Sequence, residues 1–189
     1  MYKILGLVGP SGCGKDTAAR YLANTFKQNY VKLYTTRPQR NNEDDGYHFI
    51  GSDVFLQMVL NGSMLNAQEF RGWYYGLGMD ALQKDVVNIL PMSNVMVEQM
   101  REEKNPNIDL KIFYIYTFPE DRLRHILDRE TNPDCYEICR RFLSDKEDYE
   151  DNINLHYECE YFIQNDYNNK FSEDLYNTYI MYYGKDKMD

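Results

Sequence analysis

Gly9-Pro10-Ser11-Gly12-Cys13-Gly14-Lys15 follows a short apolar run, Lys3 to Val8, and precedes a segment of helical spacing, Thr17 to Phe26. It matches the phosphate-loop pattern G-x-x-x-x-G-K, in the strand–loop–helix setting that the pattern needs. The chemistry explains the residue types. Glycines let the backbone curl so that several N–H groups converge on phosphate oxygens, and the helix N-terminus adds a favourable dipole. Lys15 then meets the outer phosphates as a mobile point charge. The plainer alternative, a Gly-rich turn, loses weight because strand and helix flank the loop. One position departs from the pattern. Ser or Thr is expected after the lysine as a Mg²⁺ ligand, and here Asp16 stands there with Thr17 next. A carboxylate can also hold Mg²⁺, directly or through water. Asp16 can equally cap the helix start, where negative charge is favoured. Asp16 and Thr17 are thus the candidate metal ligands, with the capping role open beside them.

Outward from the loop, Tyr30 to Thr36 reads as a second strand ended by Arg37-Pro38, and 39–46 as a polar loop. Ser52 or Asp53 is placed to cap a helix through Leu60, stopped by Asn61-Gly62. Met64 to Phe70 and Trp73 to Tyr75 read as strands. Met79 to Leu90 has helical spacing, Pro91 stops it, and Asn94 to Gln99 is a strand candidate. Leu110 to Phe118 is the clearest strand of the chain. Glu120 to Arg129 and Tyr136 to Asn152 read as helices, Glu160 to Gln164 as a strand and Phe171 to Tyr182 as a helix. Strands alternating with helices give an α/β protein with a parallel sheet. The stretch 37–78 breaks the alternation and reads as an inserted lobe.

At 189 residues the chain has material for about one domain. Hydrophobic residues make up 43%, enough for a core and against disorder. A formal charge of −9 and a pI near 4.9 argue against a grip on nucleic acid, which attracts basic surfaces. Local clusters of Arg and Lys therefore stand out as sites for specific anions. No apolar run of about 18 residues suggests a membrane span, and the N-terminus does not read as a signal peptide. Four cysteines do not make a disulfide framework in a chain of this length, so a reducing, cytoplasmic setting is expected. The partners expected are small molecules.

Thr35-Thr36-Arg37-Pro38-Gln39-Arg40, then Glu43, Gly46-Tyr47-His48-Phe49 and later Tyr74-Tyr75-Gly76 form a second constellation. Two arginines three apart and a nearby tyrosine can converge on one phosphate, Arg through forked donors and Tyr through its hydroxyl. Alone, this would be a solvated basic loop. Together with Gly-Pro-Ser-Gly-x-Gly-Lys, the order and spacing resemble the guanylate kinase family over nearly the whole chain. The resemblance implies an α/β P-loop NTPase three-layer fold in a single domain, 1–189. Its core would be 1–36, 79–128 and 134–189, its lobe for the nucleoside monophosphate 37–78, and its short mobile lid 129–133. It implies transfer of the γ-phosphate of ATP, with Mg²⁺, onto GMP.

Residue by residue, the resemblance gives Gly9, Pro10, Ser11, Gly12, Cys13, Gly14 and Lys15 to the phosphates of ATP, and Asn165 to the neighbourhood of the adenine. Arg37, Arg40, Tyr47 and Tyr75 would hold the acceptor's phosphate, with Glu43 also lining the acceptor site. Arg129 matches a lid arginine, and Arg140 or Arg141 the arginine that reaches the transferring phosphoryl group. Glu98, at the end of the Asn94 to Gln99 strand, falls on a family aspartate near metal and acceptor.

The base-reading positions differ from the family. Leu33 replaces a serine, Asn66 replaces the glutamate that reads guanine, Leu77 replaces a Ser or Thr, and Met100 replaces a second carboxylate. A site that hydrogen-bonds guanine loses several partners at once by these changes, and unmet polar groups cost discrimination steeply. Gly-Lys-Asp and Tyr-Tyr-Gly-Leu-Gly also look like ribose 1,5-bisphosphate kinase, a related enzyme whose acceptor has no base; Arg40, Glu43 and Gly-Tyr-His-Phe keep the guanylate kinase lobe. The rival from another class is an inactive binding module. Such modules usually lack an intact phosphate loop, and Gly9 to Lys15 is intact.

Cys135, Cys139, His156 and Cys159 have a zinc-like look, but the first two lie at i, i+4 on an expected helix, and core cysteines are the plainer account. The run Asp145 to Asp151 reads as a solvated helix face. Trp73 and the Tyr-rich tail read as packing.

Overall fold

The apolar alternation around the phosphate loop builds the middle of a sheet. In the computed structural model, which describes residues 1–39, 46–70, 72–129, 133–150 and 159–184, Tyr2–Val8 forms β1. It lies between β7 (Val87–Pro91) and β8 (Ile108–Tyr116), with β2 (Asn29–Tyr30) and β9 (Tyr161–Gln164) at the edges. All four pairings are parallel. Successive side chains point to opposite faces of a strand, so two cores form. Ile4 and Val8 join Leu90, Ile112, Met96 and Val97, the last two from α3 (Asn94–Glu103). Leu5 and Leu7 join Ile89, Phe113 and residues of α1 (Lys15–Phe26) and α6 (Asn169–Tyr183). Helix, sheet and helix make the three layers.

After β2 the chain leaves this sheet. It makes β3 (Leu33–Thr35), β4 (Tyr47–Phe49), α2 (Ser52–Leu60), β5 (Met64–Phe70) and β6 (Trp73–Gly78), and returns at β7. These strands form a second, mixed sheet in the order β4-β3-β6-β5. The way out and the way back touch. Asn29 Nδ2 donates to the carbonyl of Ala81 at 2.8 Å, and Val31 N to that of Ile89 at 2.9 Å. α4 (Pro119–Arg129) and α5 (Cys135–Asp145) follow β8, and a π-turn (Lys146–Glu150) extends α5. Among the described residues no helix is long and apolar enough to cross a membrane.

Four expectations need correction. Tyr30 to Thr36 is not one strand. It divides between the two sheets, because Val31 anchors on β7 before the chain turns away. Met79 to Leu90 is not a helix. Only Met79–Ala81 makes a 3₁₀ turn, Asp85 takes φ +64°, and Val87 to Leu90 is buried strand. The misleading residue is Asn88, which imitates the polar side of a helix inside an apolar run. It is fully buried, and its amide bonds Asn29, Gln83 and the Lys3 carbonyl. Conversely, Asn94 to Gln99 is helix. Ser93 Oγ accepts from Met96 N at 3.1 Å, and Met96, Val97 and Met100 bury one face. Finally, α2 begins after Gly51 without a side-chain cap, so neither Ser52 nor Asp53 caps it.

Candidate active site

The loop after β1 takes the shape its glycines permit. Gly9, Gly12 and Gly14 have φ of +153°, +83° and +90°, and a Cβ on Gly14 would lie 2.6 Å from Asn165 Nδ2. Gly14 occupies the N-cap of α1 and no side chain caps that helix, so the capping role read for Asp16 is not the one it takes. Asp16 and Thr17 stand exposed in the first turn. Lys15 folds over its own loop, Nζ donating to the Pro10 carbonyl at 3.4 Å. It stays charged far into alkaline pH. Burial works against the charge, but the acidic groups around it, Cys13, Tyr149, Asp16 and Asp145, outweigh that cost.

Three distant residues hold the loop from behind. Asn165 Nδ2 donates to the Cys13 carbonyl at 2.9 Å, and its Oδ1 accepts from Tyr167 N at 2.8 Å. Both ends of this amide are engaged, so Asn165 serves the loop. The Tyr167 hydroxyl donates to the Gly12 carbonyl, and its ring stacks on His125 at 4.3 Å. Asp145 accepts from Ser11 N at 2.9 Å and from Ser11 Oγ at 3.3 Å. Asp145 and Tyr149 are both 7% exposed, so the run expected to be a solvated face turns inward at these two positions. The spacing of Ile138, Phe142 and Asp145 along one face of α5 was the missed signal.

The second sheet brings another set together. In register, Leu33 pairs with Tyr47, Thr35 with Tyr75, Gln68 with Tyr75 and Asn66 with Leu77. Directly opposed residues share a face, so Tyr47, Tyr75, Asn66, Leu33 and Leu77 stand on one side of this sheet. The Tyr47 and Tyr75 rings lie 5.8 Å apart, and the Arg37 guanidinium sits 5.5 Å from the Tyr47 ring and 5.4 Å from Phe49. Burial pushes the Tyr47 hydroxyl up to about 12, with Asp16 adding to the shift and Lys15 opposing it. The charges of the phosphate loop thus bear on Tyr47.

Further along that face the lining is amide and apolar. Asn66 Nδ2 donates to Gln99 Oε1 at 2.6 Å, and Gln68 Nε2 to Ser93 Oγ at 2.8 Å. Asn66 is 4% exposed, and Asn66 Oδ1 and Gln68 Oε1 have no hydrogen-bond partner among the described residues. Leu33 and Leu77 are buried in the core. Glu98 is on α3 and not at a strand end. The carboxyl end of β7 continues as Pro91-Met92-Ser93, with no carboxylate. Gln68 and Ser93 were missed because their partnership joins two elements read wrongly or separately in the sequence.

On α5 the two arginine candidates part. Arg140 is exposed and paired with Glu137, its Nε 2.6 Å from Oε2. Arg141 is the more enclosed, 15% against 48% for the side chains, and precedes Asp145 by one turn on the same face. Arg40 and Glu43 lie outside the described residues, as does the Arg129 side chain at the end of α4. Cys135 and Cys139 are exposed, which corrects the core reading for them, and His156 lies outside the described residues. Among the described residues no three metal-ligating side chains cluster.

A guanylate kinase family model matches residues 1–179. The chain belongs to the guanylate kinase family. It is 37% identical over 84 residues to a guanylate kinase of Helicobacter hepaticus, covering 43% of this chain and 42% of that one. To a guanylate kinase of Anaplasma phagocytophilum it is 39% identical over 87 residues, 44% and 41% of the two chains. These matches span about two fifths of the relatives' length. A guanylate kinase of Prochlorococcus marinus matches further, 30% over 136 residues, 68% of this chain and 73% of that one. The crystal structure of the guanylate kinase from Anaplasma phagocytophilum superposes on the whole of this chain and 87% of its own, with a TM-score of 0.61 at 20% identity. It has the same fold as this guanylate kinase family member.

The loop fits the groups its family implies. Its glycine-shaped backbone and Lys15 suit a polyphosphate, and Asp16 with Thr17 offers exposed oxygen donors of the kind Mg²⁺ takes while keeping several waters.

Proposed function

We propose that this family member transfers the terminal phosphoryl group of ATP to a phosphomonoester whose base, if it has one, is not guanine. The observation that carries the transfer is the glycine-shaped loop ending in Lys15, with Tyr47 and Tyr75 side by side on the second sheet and Arg37 against Tyr47. Phosphoryl transfer needs alignment and charge neutralisation more than covalent help. Loop amides and Lys15 hold the donor phosphates; Arg37, Arg40, Tyr47 and Tyr75 hold the acceptor phosphate. Arg141 is the favoured α5 arginine, with Arg129, for charge that develops in transit. Asp16 and Thr17 hold Mg²⁺, which when bound neutralises phosphate oxygens.

The acceptor reading rests on Asn66 and Gln68. Guanine presents two adjacent N–H donors, which a carboxylate accepts together. An amide offers one acceptor and one donor. Asn66 and Gln68 each leave one amide oxygen open, beside two leucines where the resemblance places hydroxyls. Both amide N–H groups already donate within the protein, so the lining offers two neutral oxygens, which suit a donating group such as an exocyclic amine but lack the charge that a carboxylate brings to guanine's paired N–H groups. A ribose 1,5-bisphosphate-like acceptor is the second reading, favoured by Gly14-Lys15-Asp16 and by Tyr74-Tyr75-Gly76-Leu77-Gly78.

The test is a coupled ADP-release screen over the ribo- and deoxynucleoside monophosphates and ribose 1,5-bisphosphate. Turnover of a non-guanine acceptor is expected. Selectivity for GMP and dGMP overturns the acceptor reading, and no turnover with any acceptor, together with no ATP binding, favours the binding module.

A further inference from the structure

The phosphate loop already carries an anion of its own. Asp145, the last residue of α5, takes the backbone N–H and the hydroxyl of Ser11. Ser11 lies 134 residues away in the chain, inside the loop whose amides are shaped for phosphate oxygens. Behind the carboxylate stands Arg122 of α4, fully buried, its Nη1 3.6 Å from Asp145 Oδ2 and its guanidinium 4.8 Å from the Phe142 ring. A buried arginine is costly to keep charged without an anion beside it. Arg122 therefore fixes where Asp145 rests, and Asp145 rests on the loop.

We propose that Asp145 is a positioning residue that holds the Ser11 N–H as an internal stand-in for a donor phosphate and must yield it when ATP binds. The proposal rests on the donor site assigned above. A carboxylate and a phosphate oxygen compete for one donor, and hydrogen bonds to ionised acceptors are the strong ones. The carboxylate also repels the polyphosphate that replaces it. Arg122 keeps a partner throughout, so the exchange leaves no bare buried charge. Arg141 precedes Asp145 by one turn on the same face, so the exchange takes place beside the candidate catalytic arginine.

The experiment compares the intact chain with Asp145→Asn and with the double variant Arg122→Leu/Asp145→Ala, which removes the pair and leaves neither charge orphaned. Calorimetric titration with Mg·ATP and with inorganic tripolyphosphate gives affinities. Both variants are expected to bind both ligands about tenfold tighter than the unaltered chain, the size of one charge-assisted hydrogen bond. A loss that is only structural cannot raise affinity. It would weaken Asp145→Asn and leave the double variant at the unaltered value, which overturns the proposal. Equal affinity in all three proteins overturns it too, while the donor site stands. Absence of binding in all three overturns the donor site and this role together.

Discussion

Asn165 and Cys13 are joined by a 2.9 Å hydrogen bond across 152 positions, from the amide at the end of β9 to a carbonyl in the middle of the phosphate loop. The neighbouring Gly14 has no room for a Cβ because that amide is there. Replacing Asn165 with Ala leaves the buried Cys13 carbonyl unmet, at a cost of about 1–3 kcal/mol. A lowered melting temperature and at least tenfold weaker ATP binding are expected. Calorimetry on Asn165→Ala that found both unchanged would remove Asn165 from the loop's support.

Lys15 is the central charge of the donor half. Lys15→Ala is expected to lower kcat/KM by roughly two to three orders of magnitude, as loss of a preorganised donor to transition-state charge does. Stability should hold, since Lys15 makes one long bond, 3.4 Å, to its own loop. Turnover near that of the unaltered chain would refute its role.

Acceptor choice is open to transplantation. Leu33→Ser, Asn66→Glu and Leu77→Thr together restore the residue types that the family uses to read guanine. The triple variant is expected to gain GMP turnover at least tenfold and to lose its own acceptor by a similar factor. Leu77 is fully buried, so some stability is lost as well. A screen showing no gain toward GMP would place the discrimination elsewhere.

Buried tyrosines set an alkaline limit. Burial raises the Tyr47 and Tyr149 hydroxyls to about 12, above the ordinary value of about 10 that they regain on unfolding. A folded-state value raised in this way gives stability that is complete below about pH 10 and is lost as pH rises toward 12. Melting temperature should therefore fall between pH 10 and 12. Tyr47→Phe and Tyr149→Phe should each flatten that fall. An unchanged slope in both would show that other groups govern it.

The phosphate loop was legible because its meaning is local: glycines at fixed spacing, a lysine and flanking periodic segments. β1, α1, β5 and β8 were legible for the same reason. Asn88 defeated the reading of β7 because a buried polar residue satisfied by Asn29, the Lys3 carbonyl and the backbone of Gln83 looks, in sequence, like a surface residue. Ser93 was passed over as a loop residue, though it begins α3 and meets Gln68. Asp145 heads an acidic run in which Lys146 and Glu147 are exposed, and the fold shows that Asp145 is the member turned toward Ser11. Local chemistry could be read, whereas contacts between distant segments could not.

The chain's departure into the second sheet and its return pass through one narrow place, where Asn29 meets Ala81 and Val31 meets Ile89. A segment inserted between adjoining ends can be lengthened, recast or exchanged without refolding its host. Residues 33–78 have such adjoining ends, yet Leu33 and Leu77 pack into the core that also holds Ile4, Val8 and Leu90. A change of acceptor has therefore to be matched outside the insertion as well, where Gln99 and Ser93 of the host meet Asn66 and Gln68.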